Sequence, residues 1–471
     1  MPPFGTDYKF NCGGTLGQER LSSRDRLAYA VPAIAYGFYL QFMIVYVMKY
    51  STDVLLISAS VIGALFGLAR LWDTFSDPLV GYLSDRTRLS FGRRRPWILA
   101  GALPLALTGI MLFTQPDTLS TSGLSIWVGV ALIGVYTALT AVQVPHYAWG
   151  AELTPNYHER NRLFGAHTVA QYVGALLAIA GLAFVIGAES GQAAAVSQLS
   201  VAAGVVAFVL IVVCVLALKE TQGAAQSPRT SLLRSFQQVW RNPHARTLLI
   251  VNFIERTGYS TIGVLTLYVA DYVLNMPEIS ILIIACYLVS AGASTPLWVW
   301  LAGRHGKVNV WFAAMLGTGV GFTGMFGATF LDQSAQLVLM PIVTLIVGAA
   351  AGCGSILSSS VLSDVIDYDE LETGERREGA YFACWNFTVK FSVSFMALIV
   401  GIVLDLAGYV PGAAQSFTVI LTIMVLYCLF PAAAHFIGAW LFKSKFRFSR
   451  GDHDAVRRAL TERRAHASHG T

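Results

Sequence analysis

The chain has 471 residues, 55% hydrophobic and only 13% charged, with a formal net charge of +5 and a mean hydropathy of +0.59. A soluble domain would carry about 25% charged residues, so the composition excludes a soluble globular protein. The positive balance would suit an acidic partner, but its distribution along the chain accounts for it without any nucleic acid.

Met1–Arg26 is polar and holds no apolar stretch followed by a small-residue cleavage site, so no secretory signal is expected. Beyond it, long apolar runs such as Ile98–Phe113, Val169–Ile186, Val201–Leu218 and Ile342–Ala351 alternate with polar loops. Runs of roughly 20 residues read as membrane-spanning helices. Twelve are predicted, centred near Tyr39, Gly67, Leu107, Val135, Ala178, Phe208, Gly263, Ser290, Thr318, Val347, Phe395 and Val425. The fold class is therefore an all-α membrane protein. The loops are too short to hold a soluble domain. The six cysteines are scattered without ligand spacing, so neither disulfide nor zinc is expected.

Lysine and arginine fall in every second loop: Arg20, Arg24 and Arg26 before span one, Arg86 to Arg95 after span two, Arg160 and Arg162 after span four. The pattern continues through the central loop, Arg304 and Lys307, Arg376 and Arg377, and the C-terminal tail. On the other side only Lys49 is basic. The positive-inside rule puts both termini in the cytoplasm of an inner (plasma) membrane, as an even number of spans requires. The hydrophilic stretch after span six divides the chain into a bundle at 1–218, a central loop at 219–244, a second bundle at 245–443 and a tail at 444–471. Gly81–Arg86 with Gly92–Arg95 after span two is echoed by Leu301–Lys307 after span eight. Two pseudo-symmetric six-helix bundles with a site between them are the plan of the major facilitator fold.

Span two carries Arg70, Asp73, Ser76 and Asp77. The last three stand at i, i+3 and i+4, which stacks their oxygens on one helix face. Two carboxylates so close need a cation or a shared proton between them; sodium would use Asp73 and Asp77 as ligands with Ser76 as a neutral oxygen. A structural Arg70–Asp73 pair is the simpler alternative. Lys390 lies about twelve residues into span eleven, too deep to reach the interface. The span-two aspartates are its natural counter-charges, so lysine and cation would alternate on them.

Span four ends in Thr140–Tyr147, where Pro145 interrupts the hydrogen-bond ladder and Gln143, His146 and Tyr147 bring polar and ring chemistry. Such mixtures suit a sugar, whose hydroxyls need polar partners and whose C–H face needs an aromatic one. Tyr36 of span one and Trp385 and Asn386 of span eleven add the same chemistry. Glu255 and Arg256 of span seven either contact substrate or neutralise one another. Asp85, Arg86, Arg93 and Arg94, with Arg376 in the second bundle, are candidate gating residues that would latch the bundles together when the inner side is shut. No P-loop or hydrolase motif is present, so neither an enzyme nor a cofactor is expected beyond a coupling ion, Na+ or H+.

These segments, in order, resemble the glycoside–pentoside–hexuronide:cation symporters, the melibiose carrier's family within the major facilitators. The resemblance rests on Trp72–Gly81, Ser84–Arg88 with Gly92–Trp97, Val144–Tyr147, Glu152–Arg160, and Asp364–Tyr368 with Thr373–Gly379. It implies that Asp73, Ser76, Asp77 and Thr140 surround the coupling cation, with Lys390 as the nearby span-eleven lysine. Ser76 stands where relatives have asparagine. The melibiose carrier's sugar-binding aspartates would fall at Gly37 and Gln143, and its arginine near Thr168; none is retained. The expectation is a cation-coupled symporter, working as a monomer in the bilayer, for a glycoside or oligosaccharide held between spans one, four, five, seven and eleven. A carrier of a lysophospholipid or other amphiphile, and a membrane-embedded enzyme or non-transporting sensor, are the alternatives.

Overall fold

The computed structural model describes residues 21–154, 157–188, 191–220, 232–375, 377–446, 451–452, 455–456 and 458–462. The first half holds α1 (Ser23–Ala30), α2 (Pro32–Asp53), α3 (Ala59–Arg86), α4 (Arg95–Phe113), α5 (Thr121–Glu152), α6 (Tyr157–Ile186) and α7 (Gln192–Ala217). Helix α8 (Leu232–Arg241) occupies the end of the stretch expected to be all loop. The second half holds α9 (Pro243–Tyr268), α10 (Ile279–Ala293), α11 (Thr295–His305), α12 (Lys307–Ala328), α13 (Gln333–Thr373), α14 (Glu378–Leu406), α15 (Phe417–Met424) and α16 (Phe430–Lys445).

Local chemistry sets the helix ends. Ser120, Asp332 and Ser416 accept from the backbone N–H groups of Gly123, Ala335 and Val419, satisfying donors that no turn of helix can reach. Asn242 does this twice at α9, for His244 and Ala245, with Pro243 at the first helical position. Gly374 ends α13 with φ at 76°, a left-handed conformation that glycine adopts without a Cβ clash. Pro145 lies inside a continuous α5: it removes one backbone hydrogen bond but does not break the helix.

All twelve expected centres lie on helical segments, that of Val425 in a π-turn between α15 and α16. Among the described residues, nine helices are long and apolar enough to cross a membrane, ten if the bent pair α10–α11 is one span. Helices α3 and α9 are long enough but fall outside that set. They carry Arg70, Asp73 and Asp77, and Glu255 and Arg256. Intramembrane charge lowers hydropathy at the places where it is held for a purpose.

The two halves meet unevenly along their seam. On the arginine-poor side one apolar core runs across both halves, from Tyr46 and Ile62 to Leu265, Met396, Val400 and Tyr427. The arginine-rich end of the second half has its own core around Trp311, Val361, Trp385 and Phe442. Close backbone approach explains the closed side. A Cβ on Gly63 would lie 2.6 Å from the Ala397 carbonyl oxygen, and one on Gly401 2.2 Å from that of Ala59, so α3 and α14 touch where only glycine fits.

Candidate functional site

The tight α3–α14 contact carries Lys390 to the acidic face of α3. Its Nζ lies 2.8 Å from Asp73 Oδ2 and 2.5 Å from Asp77 Oδ2. Arg70 reaches Asp73 at 3.4 Å from the other side, and its guanidinium lies 5.2 Å from the Tyr136 ring centroid. From α5, Thr140 Oγ1 is 2.9 Å from Asp73 Oδ1 and 3.0 Å from Asp77 Oδ1, and Ser76 Oγ is 3.3 Å from Thr140 Oγ1. Two acids thus face two basic side chains, with the Thr140 hydroxyl bridging the acids and the Ser76 hydroxyl bonded to Thr140. A hydroxyl carries one proton, so Thr140 donates to one carboxylate while its lone pairs remain available to a cation.

The charges differ in access. Asp73 and Arg70 side chains are 7% and 9% exposed, whereas Asp77 and Lys390 are 33% and 21% exposed. The accessible pair is therefore the one that can separate. With Lys390 withdrawn, Asp73, Asp77, Ser76 and Thr140 offer two carboxylates and two hydroxyls, a donor set suited to a small hard cation or to a proton. Among the described residues no three His, Cys, Asp or Glu side chains gather as a metal site, so any sodium here would rest on the two aspartates and the hydroxyls.

The expected substrate residues do not form one group. Tyr36, His146 and Tyr147 cluster with His167 of α6: ring centroids of His167 lie 6.0, 5.6 and 4.7 Å from theirs. His146 itself is fully buried, stacked on Tyr29 at 4.3 Å and 3.8 Å from Cys214 Sγ, so it is held inside the first half. Gln143 is half-buried one turn before Tyr147. Trp385 is part of the second half's separate apolar core, and neighbouring Asn386 is exposed. Glu255 is buried beside Gly438, and the Arg256 guanidinium lies within electrostatic reach of it. At Gly37 an added Cβ would lie 1.9 Å from the Gln171 carbonyl oxygen. Close contact of α2 and α6 thus excludes any side chain, and an aspartate most of all.

The described gating residues pair within the first half in this state. Arg94 pairs with Asp85 at 2.5 Å and Glu152 at 3.1 Å, and Arg93 with Glu152 at 2.6 Å, all within the first half. Glu220 accepts from the backbone N–H groups of Arg93 and Arg94. Arg86 stacks on Tyr82 of its own helix, 4.0 Å from the ring centroid. Lys307–Asp364 and Arg377–Asp369 lie within the second half. The motif ties helix ends inside its own bundle and does not join the bundles here. Arg376 lies outside the described residues.

Besides the Lys390 pairs with Asp73 and Asp77, the halves are joined by an ion pair on the opposite, arginine-poor side. Lys49 of α2 lies 2.5 Å from Asp53 and 2.6 Å from Asp271 of the second half, with the Tyr272 ring centroid at 4.0 Å. Tyr272 and Tyr409 donate to Asp53, Thr52 shares a proton with Tyr268 at 2.8 Å, and Asp405 accepts from the Ala59 and Ser60 N–H groups at the start of α3. A π-turn at Val269–Val273 presents Asp271 and Tyr272. The sequence held a signal for this cluster: Lys49 is the sole base on that side and has Asp53 at i+4. His167 had a weaker one, a lone histidine entering an apolar run.

A family model described as MFS/sugar transport protein matches residues 28–446. The inner membrane symporter YicJ of Escherichia coli is 26% identical, covering 94% of this chain and 96% of that protein. The isoprimeverose transporter of Lactiplantibacillus pentosus is 29% identical over 83% of this chain and 82% of its own. Among solved structures, a D-xylose–proton symporter superposes with a TM-score of 0.64 at 13% identity, covering 90% of this chain and 98% of that one, a likeness of fold.

Proposed function

The chain belongs to the MFS/sugar transport protein family, and from that premise we infer that it is a cation-coupled symporter of a sugar or glycoside, not an enzyme. We assign its halves to 1–218 and 245–443, joined through 219–244 and followed by a tail at 444–471. Twelve spans hold both termini on the cytoplasmic, arginine-rich side of the inner membrane. The site lies between the halves of one chain, so the monomer is the working unit.

The observation that carries the reading is Lys390 between Asp73 and Asp77. An ammonium occupies the place of a cation, so an arriving Na+ or H+ must displace it. Freed, Lys390 moves on α14, the helix that lies along the seam against α3. Cation arrival thereby changes the surface that the cargo meets. By linkage, cargo then tightens the cation equally. Gln143 and Tyr147 with His167 and Tyr36 form the first half's polar and aromatic wall, and Arg256 answers from the second. The absence of a carboxylate at positions 37 and 143 argues against melibiose itself. The amphiphile alternative gains no support from a seam crossed by charges.

The closed arginine-poor side supports an inward-facing conformation. Replacing Lys49 by Ala would leave Asp53 and Asp271 facing each other without their bridge in this state alone. Uncompensated buried charge costs about 3–5 kcal/mol, enough to shift the outward-to-inward ratio roughly a hundredfold or more. Spin labels on the periplasmic ends of α2 and α9 are expected to move apart; an unchanged distance distribution would remove Lys49 from the gate. The function itself is tested by uptake of a glycoside panel into proteoliposomes with sodium and proton gradients imposed separately. One gradient should drive accumulation, and the absence of accumulation under both would sink the reading.

A further inference from the structure

Ser22, Ser120 and Ser416 stand before helices with backbone angles suited to capping, and accept from the N–H groups of Asp25, Gly123 and Val419. Ser58 stands before α3 with a backbone close to theirs, φ −59° and ψ 145°, yet its hydroxyl caps nothing. The Ala59 and Ser60 N–H groups go instead to the two carboxylate oxygens of Asp405, at 3.0 and 2.9 Å. Asp405 is in the last turn of α14, in the other half of the molecule and 346 residues from Ala59. Among the described residues no lysine or arginine pairs with that carboxylate, so the positive end of α3 is its counter-charge.

Helices α3 and α14 meet along one antiparallel line. From the outer, arginine-poor end inward it joins Ala59 and Ser60 to Asp405, Gly63 to Ala397 and Gly401, Gly67 to Ser394, and Asp73 and Asp77 to Lys390. Gly63 and Gly67 are four residues apart and share a face, the small-residue pattern that lets membrane helices approach closely. A Cβ on Gly67 would lie 2.9 Å from the Ser394 carbonyl oxygen. From Ala59 to Asp73 is fourteen residues and from Lys390 to Asp405 fifteen, roughly 21–23 Å of helix on each side. The cap and the coupling site are therefore fixed to the same two rods, one at each end of a glycine contact.

Alternating access parts the halves on the outer side once per cycle. A helix capped by its own serine is indifferent to that motion. Helix α3 is not, because its cap leaves with the other half and its first N–H groups then face water. The closed state alone gains the capping bonds and the attraction between carboxylate and helix end.

We propose that Asp405 is a positioning residue of the transport cycle: by capping α3 only while the outer side is shut, it seats Asp73 and Asp77 against Lys390 in the ion-free carrier. The proposal takes from the symport reading only that the outer side opens. Lys390 leaves its acids when the cation arrives, and Asp405 is then the polar contact that still ties α3 to α14. It biases the empty protein toward the closed outer side, so external cargo meets the minority form.

The test uses the full-length protein without cargo, spin-labelled at Val61 and Leu406, exposed positions near the outer ends of α3 and α14. In Asp405→Ala the ratio of outer-open to outer-closed protein is expected to rise roughly 2–30-fold, the factor an N-cap supplies. Asp405→Asn keeps one acceptor oxygen and loses the charge, so its shift should be smaller. Ser58→Asp leaves Asp405 in place but gives α3 a cap of its own in both states, and should shift the ratio in the same direction. A carrier that rests open binds external cargo without first opening, so external KM should fall in Asp405→Ala by up to that factor. Loss of structure alone would lower the amount transported and leave KM where it was. Unchanged distances in Asp405→Ala would overturn the proposal, and so would an unchanged or raised KM. A shift confined to Asp405→Ala and absent from Ser58→Asp would also overturn it, by making Asp405 a support and not a cap. If no sugar accumulates under either gradient, the symport reading falls, while the cargo-free distances still decide the role of Asp405.

Discussion

Replacing Asp77 by asparagine is expected to abolish gradient-driven accumulation, with internal cargo never exceeding the external concentration. Asp77 is the more accessible of the two acids and makes the 2.5 Å contact with Lys390. The asparagine amide keeps the shape and an acceptor for Thr140 but removes the charge that either a lysine or a cation must satisfy. With one carboxylate left, and Arg70 already beside it at 3.4 Å, the site has no net negative charge to offer an incoming ion. Exchange of labelled for unlabelled cargo needs no net cation movement and should persist, which separates lost coupling from lost folding. Undiminished accumulation in Asp77→Asn would place the coupling ion elsewhere.

Replacing Lys390 by alanine is expected to have an opposite effect on the ion and a similar one on coupling. The lysine competes with the cation, so its removal should tighten cation binding. It also leaves two buried carboxylates with Arg70 alone, destabilising the ion-free protein by about 3–5 kcal/mol. Coupling free energies between sites are commonly about 1–3 kcal/mol, or roughly 5–150-fold in affinity. Saturating cation should therefore improve cargo affinity by that factor in the wild type and by less than about twofold in Lys390→Ala. Calorimetric titration of each ligand with and without the other measures both numbers. An unchanged factor would make Lys390 a structural counter-ion and retire its switching role.

Much of the helical order was legible because apolar run length and loop charge are local properties. Each predicted centre lies on a helical segment, and the acids of span two share a face because i, i+3 and i+4 can do nothing else on a helix. The same reasoning failed where a neighbour decides. Trp385 carries the chemistry of a sugar platform but packs into the apolar core around Trp311 and Phe442. His146 has the same promise and is turned inward onto Tyr29 and Cys214. The arginine motif after α3 was expected to latch the halves when the inner side is shut; here Glu152 of its own half and Glu220 of the central loop take its charges and N–H groups.

What the chain determined by itself is the order of the helical segments, the loops in which arginine accumulates, and the presence of charges within apolar segments. Tertiary structure alone decided which charges meet. Lys390 and Asp77 are 313 residues apart in sequence, and their encounter depends on α3 and α14 approaching through Gly63 and Gly401. The same approach, with Lys49 between Asp53 and Asp271, decided which side of the seam is shut. Sequence periodicity specifies a helix face but not its partner. The partner follows from how closely two backbones can come and from which buried charges would otherwise stand alone.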